Sequence, residues 1–122
     1  MPSPTQKALK QLKLLKYPAE VVEKWNSFSR QKKDLFNVID IVAIYPRRIV
    51  GIQVTVESAA RARIKKAYEN KKEIIAWLKA GGDFYVWGFP NKNKSVFVSY
   101  EFRLDKEKLI DTKTYLCILS GK

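Results

Sequence analysis

Histidine is absent from this chain, and cysteine occurs once, as Cys117. The first absence removes histidine-based acid–base chemistry and Ser-His-Asp triads. Together the two remove zinc fingers and the usual zinc hydrolase sites. A lone cysteine also excludes an internal disulfide, and its setting in the apolar run Tyr115-Leu-Cys-Ile-Leu119 predicts a buried, structural thiol, consistent with a reducing compartment. No apolar run approaches the roughly 18 residues of a membrane-spanning helix. The start, Met1-Pro2-Ser3-Pro4, has no apolar signal core. The expected setting is therefore cytoplasmic, with no membrane partner. Acidic residues are the last scarcity: 12 Asp and Glu face 24 Lys and Arg, for a net charge of +12. Such an excess repels itself, and a polyanion relieves it, nucleic acid being the commonest. Catalysis, if present, must rest on carboxylates, amides, lysines, hydroxyls or a bound metal.

What is present suits a globular fold. A chain of 122 residues, 46% of them hydrophobic, is expected to form a single domain spanning 1–122, with a core over about 5–90 and an addition over about 91–122. Ala8, Leu9, Leu12 and Leu15 follow helical spacing, with Thr5 as N-cap and a stop before Tyr17-Pro18. Glu20–Trp25 reads as a first short strand and Asn26–Lys33 as a loop or hairpin tip. Asp34–Tyr45 is rich in β-branched residues and reads as one strand. The turn Pro46-Arg47-Arg48 then leads into Ile49–Val56 as its antiparallel neighbour. Ser58 to about Lys79 reads as one long helix, with Ile64, Ala67, Tyr68, Ile75 and Leu78 as its buried stripe and Gly81-Gly82 as its stop. Asp83–Gly88 is a strand parallel to one of the earlier pair, because a helix intervenes. Past a turn at Asn91–Lys94, the strands Ser95–Leu104 and Thr112–Leu119 follow, with Asp105–Ile110 as a helical turn between them.

One pairing in this plan carries chemistry. A tight hairpin can bring Asp40 close to Gln53, and Gln53 shares a strand face with Thr55. Asp34, at an even spacing from Asp40, can share its face. A carboxylate flanked by Val38, Ile39, Ile41 and Val42 needs a wet face or a partner. Magnesium is one such partner, since it takes one or two carboxylates together with neutral oxygens and water. Asp40, Gln53 and Asp34 are the candidate metal ligands, with the Val54 carbonyl as a further neutral oxygen, and Mn²⁺ is expected to substitute for Mg²⁺. A hydrogen-bonded strand carboxylate and a hydrogen-bonding amide are the alternatives for the first two. The strand carrying Gln53 leads directly into a helix with Arg61, Arg63, Lys65 and Lys66 in its first turns, either a phosphate-binding face or a solvated one. Arg30, Arg47 and Arg48 are further candidate contacts to nucleic acid. Trp25, Trp77 and Trp87 read as core residues rather than base-stacking platforms.

The order of these pieces resembles the core of the PD-(D/E)XK, or restriction-endonuclease-like, nuclease superfamily: helix, three-strand antiparallel meander, helix, strand. The resemblance rests on Asp34-Leu-Phe36, Ile39-Asp40, Ile52-Gln-Val-Thr55, the basic run Arg61–Lys66, Trp77-Leu78 and Val86-Trp-Gly88, and it covers roughly residues 20–90. It is similar to Holliday-junction-resolvase-like proteins and to short phage and bacterial nucleases. A phage-encoded chain would act in the host cytoplasm. The resemblance implies an α/β fold with two extra C-terminal strands, and a metal-dependent endonuclease that hydrolyses DNA phosphodiester bonds, branched or structured DNA being one candidate substrate and RNA another. It places Asp40, Gln53, Thr55 and Lys65 in the catalytic site, Lys66 being the alternative lysine. Gln53 stands where the family usually has an acid, and Thr55 where it has a lysine. Glu20, Glu23 and Asp34 are candidates to compensate for a glutamate that the first helix lacks. Relatives of the resolvase kind imply a homodimer. The competing readings are an inactive nucleic-acid binder of the same fold and a basic assembly protein.

Overall fold

A computed structural model describes residues 3–22, 24–26, 31–91 and 94–119. The first helix, α1 (Pro4–Leu14), is capped by Ser3 and not by Thr5. Ser3 accepts from the Gln6 N–H while the Gln6 side chain accepts from the Ser3 N–H, a reciprocal capping box. Pro4 at the first helical position has no N–H to leave unsatisfied. The helix ends before Tyr17-Pro18 as expected, with Lys16 in the left-handed conformation usually left to glycine.

Chain order continues with β1 (Ala19–Val21), β2 (Lys24–Asn26), β3 (Gln31–Lys33), β4 (Ile41–Tyr45), β5 (Arg48–Val56), a 3-10 turn (Glu57–Ala59), α2 (Ala60–Glu69), α3 (Lys71–Lys79), β6 (Asp83–Phe89), β7 (Val96–Asp105) and β8 (Lys108–Cys117). The molecule is mixed α/β, with one six-stranded sheet in the order β1-β4-β5-β6-β7-β8 and a separate β2–β3 hairpin. The antiparallel strands β1, β4 and β5 form one edge. The crossover through α2 and α3 makes β6 parallel to β5, as a helical connection requires. The β7–β8 hairpin extends the other edge.

Alternation along the strands builds two cores. Ile41, Ala43, Val50, Ile52, Val54, Trp87 and Phe89 pack on α1 through Ala8 and Leu12. Val38, Ile39, Phe84, Val86 and Phe102 pack on α2 and α3 through Ala67 and Ile74. Of the three tryptophans, Trp87 is core, Trp77 is half-buried with its indole N–H donating to the Asp83 carbonyl (2.7 Å), and the Trp25 side chain lies outside the described residues.

Five further expectations need correction. The long helix is two, broken at Asn70, whose side-chain N–H donates to the Lys66 carbonyl (2.9 Å) while its own carbonyl accepts from Glu73 and Ile74. A side chain that bonds to backbone competes with helix continuation, and the phase shift makes Ile74, not Ile75, the fully buried residue of α3. Asp34–Tyr45 is not one strand: residues 35–39 form a tight turn, closed by Leu35 pairing with Ile39, and β4 begins only at Ile41. Glu20–Trp25 divides between β1 and β2. Asp105–Ile110 is no helical turn but a two-residue hairpin loop, Lys106-Glu107, both at positive φ (50° and 69°), with Asp105 paired to Lys108. Cys117 is exposed, as are its neighbours along the last part of edge strand β8, although the Gln11 side chain of α1 donates to its carbonyl (3.0 Å). The stop of α3 is as expected: Gly81 sits at φ 101°, and the N–H groups of Gly81 and Gly82 close back on Leu78 and Trp77.

Candidate functional site

The β4–β5 register fixes the centre of the site. Ile41 lies opposite Ile52, so the next residue outward, Asp40, lies opposite Gln53. The Asp40 N–H donates to the Ile52 carbonyl (3.0 Å). Both side chains point to the α2 face, and both are buried. The Gln53 amide N–H donates to the Asp40 carboxylate at 2.7 Å, and the Val54 N–H donates to the same oxygen at 2.9 Å. Asp34 reaches the group by a route that strand alternation does not contain. The tight turn over 35–39 folds it back, so that its carboxylate lies 3.4 Å from the Gln53 amide nitrogen. The Gln53 amide thus faces two carboxylates through its nitrogen, and among the described residues its buried oxygen has no hydrogen-bond partner.

Gly51 holds this arrangement in register. A Cβ there would stand 2.7 Å from the Ile39 side chain, and Ile39 immediately precedes Asp40. A side chain at position 51 would make the buried Ile39 side chain shift.

Asp34, Asp40, Gln53 and Thr55 line an open cleft of about 280 Å³. Pro4 and Thr5 close one side and Arg63 another. The cleft lies where β5 ends, beside the parallel end of β6, the usual place for ligands in sheets of this kind. The start of α1 borders it, adding the partial positive charge of a helix N-terminus. Lys66 donates to the Asp34 carboxylate at 3.2 Å. Lys65, one residue earlier, is exposed and makes no described contact with the carboxylates. The sequence points to this pair of lysines, but the phase of α2 brings Lys66 to the carboxylates.

The arginines divide. Arg63 lines the cleft, and Arg61 is exposed on α2. Arg47 lies in the turn before β5, at φ 66°, and Arg48 begins β5, about 16 Å along the strand from Gln53 at about 3.3 Å per residue. Arg48 is engaged there by Asp83 through two contacts of 2.7 Å. Arg30 and Glu23 lie outside the described residues, and Glu20 is exposed on β1. Sequence reasoning missed the part played by Pro4 and Thr5, which no local pattern announces because they meet the cleft only through tertiary packing. Among the described residues no group of three or more His, Cys, Asp or Glu side chains is placed to hold a metal ion, and no helix is long and apolar enough to cross a membrane. Comparison with protein-family models, with curated proteins and with solved structures finds no match for this chain.

Proposed function

We propose that this chain is a Mg²⁺-dependent endonuclease with a restriction-endonuclease-like core, hydrolysing phosphodiester bonds in DNA, with branched or structured DNA as the first substrate to test. The observation that carries this reading is the convergence of Asp34, Asp40 and Gln53 with Arg63 and Lys66 around one cleft at the end of β5. A pure nucleic-acid binder has no use for two carboxylates there, since they repel phosphate.

The residues fit magnesium. Two carboxylates are a usual complement for this ion, with water and substrate oxygens for the rest. The Gln53 amide turns its nitrogen to both carboxylates, so its buried oxygen would serve the ion as a neutral ligand once the amide is flipped. Asp40 and Asp34 would hold the ion, with Gln53 supporting. When bound, the metal polarises the phosphate and provides a water of lowered pKa. Arg63 holds the substrate phosphate from the cleft wall. Lys66, already directed to the site by Asp34, lies where it can offset charge that grows on the phosphate. The α1 N-terminus favours the same charge.

Asp40→Asn is the variant of choice, because an amide oxygen in the same place still accepts from Val54 and Gln53. Purified protein is incubated with linear, supercoiled, single-stranded and four-way-junction DNA in Mg²⁺, Mn²⁺ or EDTA. Cleavage that needs the metal and falls at least about a hundredfold in Asp40→Asn is the expected result. Salt-sensitive binding with no cleavage in any metal would leave the second reading, an inactive binder. That reading has its own observation: Lys66 already neutralises Asp34, and Gln53 brings no charge, so few anionic ligands remain.

A further inference from the structure

The turn that carries Asp34 to the site presents an aromatic ring. Phe36 and Asn37 occupy its two central positions, both at positive φ (51° and 66°). The Val38 N–H closes the turn on the Leu35 carbonyl at 3.1 Å. Positive φ at both positions is the pattern of a type I′ turn, which glycine and asparagine adopt easily. A bulky residue there is strained. The strain does not serve packing, since the Phe36 side chain is 51% exposed. Backbone strain combined with an exposed apolar ring is unfavourable for the fold twice over, which points to a task outside the fold.

The ring is presented rigidly. Leu35 and Ile39 exchange two backbone hydrogen bonds of 2.9 Å beneath it, and Val38 and Ile39 are buried. The Asn37 side chain donates to Asn70 at 3.4 Å, which sets the tip against the junction of α2 and α3. Lys71 and Lys72 follow Asn70 directly and are exposed, and Lys66 lies one turn of helix before it. Phe36 is two residues from Asp34, so their Cα atoms are at most about 7.6 Å apart at 3.8 Å per step. An exposed flat ring on a turn that bonds to the lysine-flanked α2–α3 junction, one short step from a carboxylate of the cleft, suits a base and its flanking phosphates. Among the described residues the other exposed large aromatic side chain is Tyr115, on the far edge strand β8.

We propose that Phe36 is a stacking platform for an unpaired base next to the phosphate held in the cleft, so that the protein prefers single-stranded or locally opened nucleic acid. The inference rests on the nucleic-acid reading given above, and the test separates the two.

Binding is measured in EDTA at low salt with an oligonucleotide of about 20 nucleotides, longer than common single-strand site sizes of about 4–16, carrying 2-aminopurine at interior positions. Phe36→Gly and Phe36→Tyr are compared with the parent, each with its thermal midpoint. Loss of a stacking ring weakens binding by about tenfold or more, so Phe36→Gly should bind that much more weakly and lose the 2-aminopurine quenching. Its thermal midpoint should stay the same or rise, because the strain is relieved. Phe36→Tyr should retain both affinity and quenching. A purely structural role would move stability and affinity down together, and that outcome overturns the proposal. Undiminished binding by Phe36→Gly overturns it too, while leaving the nucleic-acid reading intact. Failure of the parent protein to bind any oligonucleotide removes both.

Discussion

Asp40 has two tasks that substitutions can separate. It accepts from the Val54 N–H and from the Gln53 amide, and both groups are buried. Asp40→Ala strands the Val54 N–H, at about 1–3 kcal/mol for an unsatisfied buried group, and leaves the Gln53 amide only its longer contact with Asp34 (3.4 Å). Asp40→Asn keeps an acceptor in place and should unfold at a denaturant concentration much closer to the parent's. If both variants lose equal stability, the hydrogen bonds are not what the carboxylate contributes to the fold. Gly51 acts on the same site from below. Gly51→Ala pushes on Ile39 and should destabilise by about 1–3 kcal/mol, as overpacking does, measurable by urea titration. The Asp40–Gln53 pair was legible in the sequence because a short turn fixes the register of a hairpin. Asp34 was placed rightly near the pair but for the wrong reason: two consecutive positive-φ residues, Phe36 and Asn37, are not a turn that composition signals. Cys117 misled because an apolar run marks burial only if something covers the strand, and edge position is a tertiary property.

At the scale of elements, the order and most types of the strands and helices could be read from periodicity, and the breaks within them could not. Asn70 interrupts an otherwise continuous helical pattern with one side-chain hydrogen bond, too small a change for a moving window to register. The β7–β8 connection was mistaken for a helical turn because Lys and Glu favour helices and are uncommon at the centre of a tight hairpin. Both are held at positive φ, where Asn-Gly is the favoured pair. The double substitution K106N/E107G should therefore stabilise the protein by about 1 kcal/mol, since a left-handed conformation disfavours ordinary residues by about 1–2 kcal/mol each and glycine gives some of this back in the unfolded chain. Calorimetry would show a higher midpoint, and an unchanged or lower one would mean that the loop is not strained.

Across the whole molecule, the face of the sheet that meets α1 collects tyrosines. Burial, then the negative charge of Glu101 and Asp83, pushes the Tyr85 hydroxyl up to about 12. Burial also raises Tyr45 well above the ordinary range. On the other face, burial and a hydrogen bond to Asp111 raise Tyr68 to about 12. An unfolded tyrosine ionises near 10. The folded state therefore holds protons that the unfolded state releases as pH rises from about 10 to about 12, and stability falls across that window. The contribution is complete below pH of about 10. Tyr85→Phe should flatten the fall in a series of denaturant titrations, and an equally steep fall would place its cause elsewhere.

The β7–β8 hairpin pairs ten residues with ten across a two-residue loop, whereas pairing β5 with β6 closes the much longer loop that contains α2 and α3. Contacts close in sequence form with the least loss of chain entropy. The strands at the C-terminal edge of the sheet are thus the ones suited to assemble first and to offer β6 an edge on which to settle. The order of assembly then runs backward along the chain, from C-terminus to site. K106N/E107G would accelerate refolding and leave the unfolding rate nearly unchanged, and the cleft, built from the residues furthest from that loop, would be the last part of the protein to form.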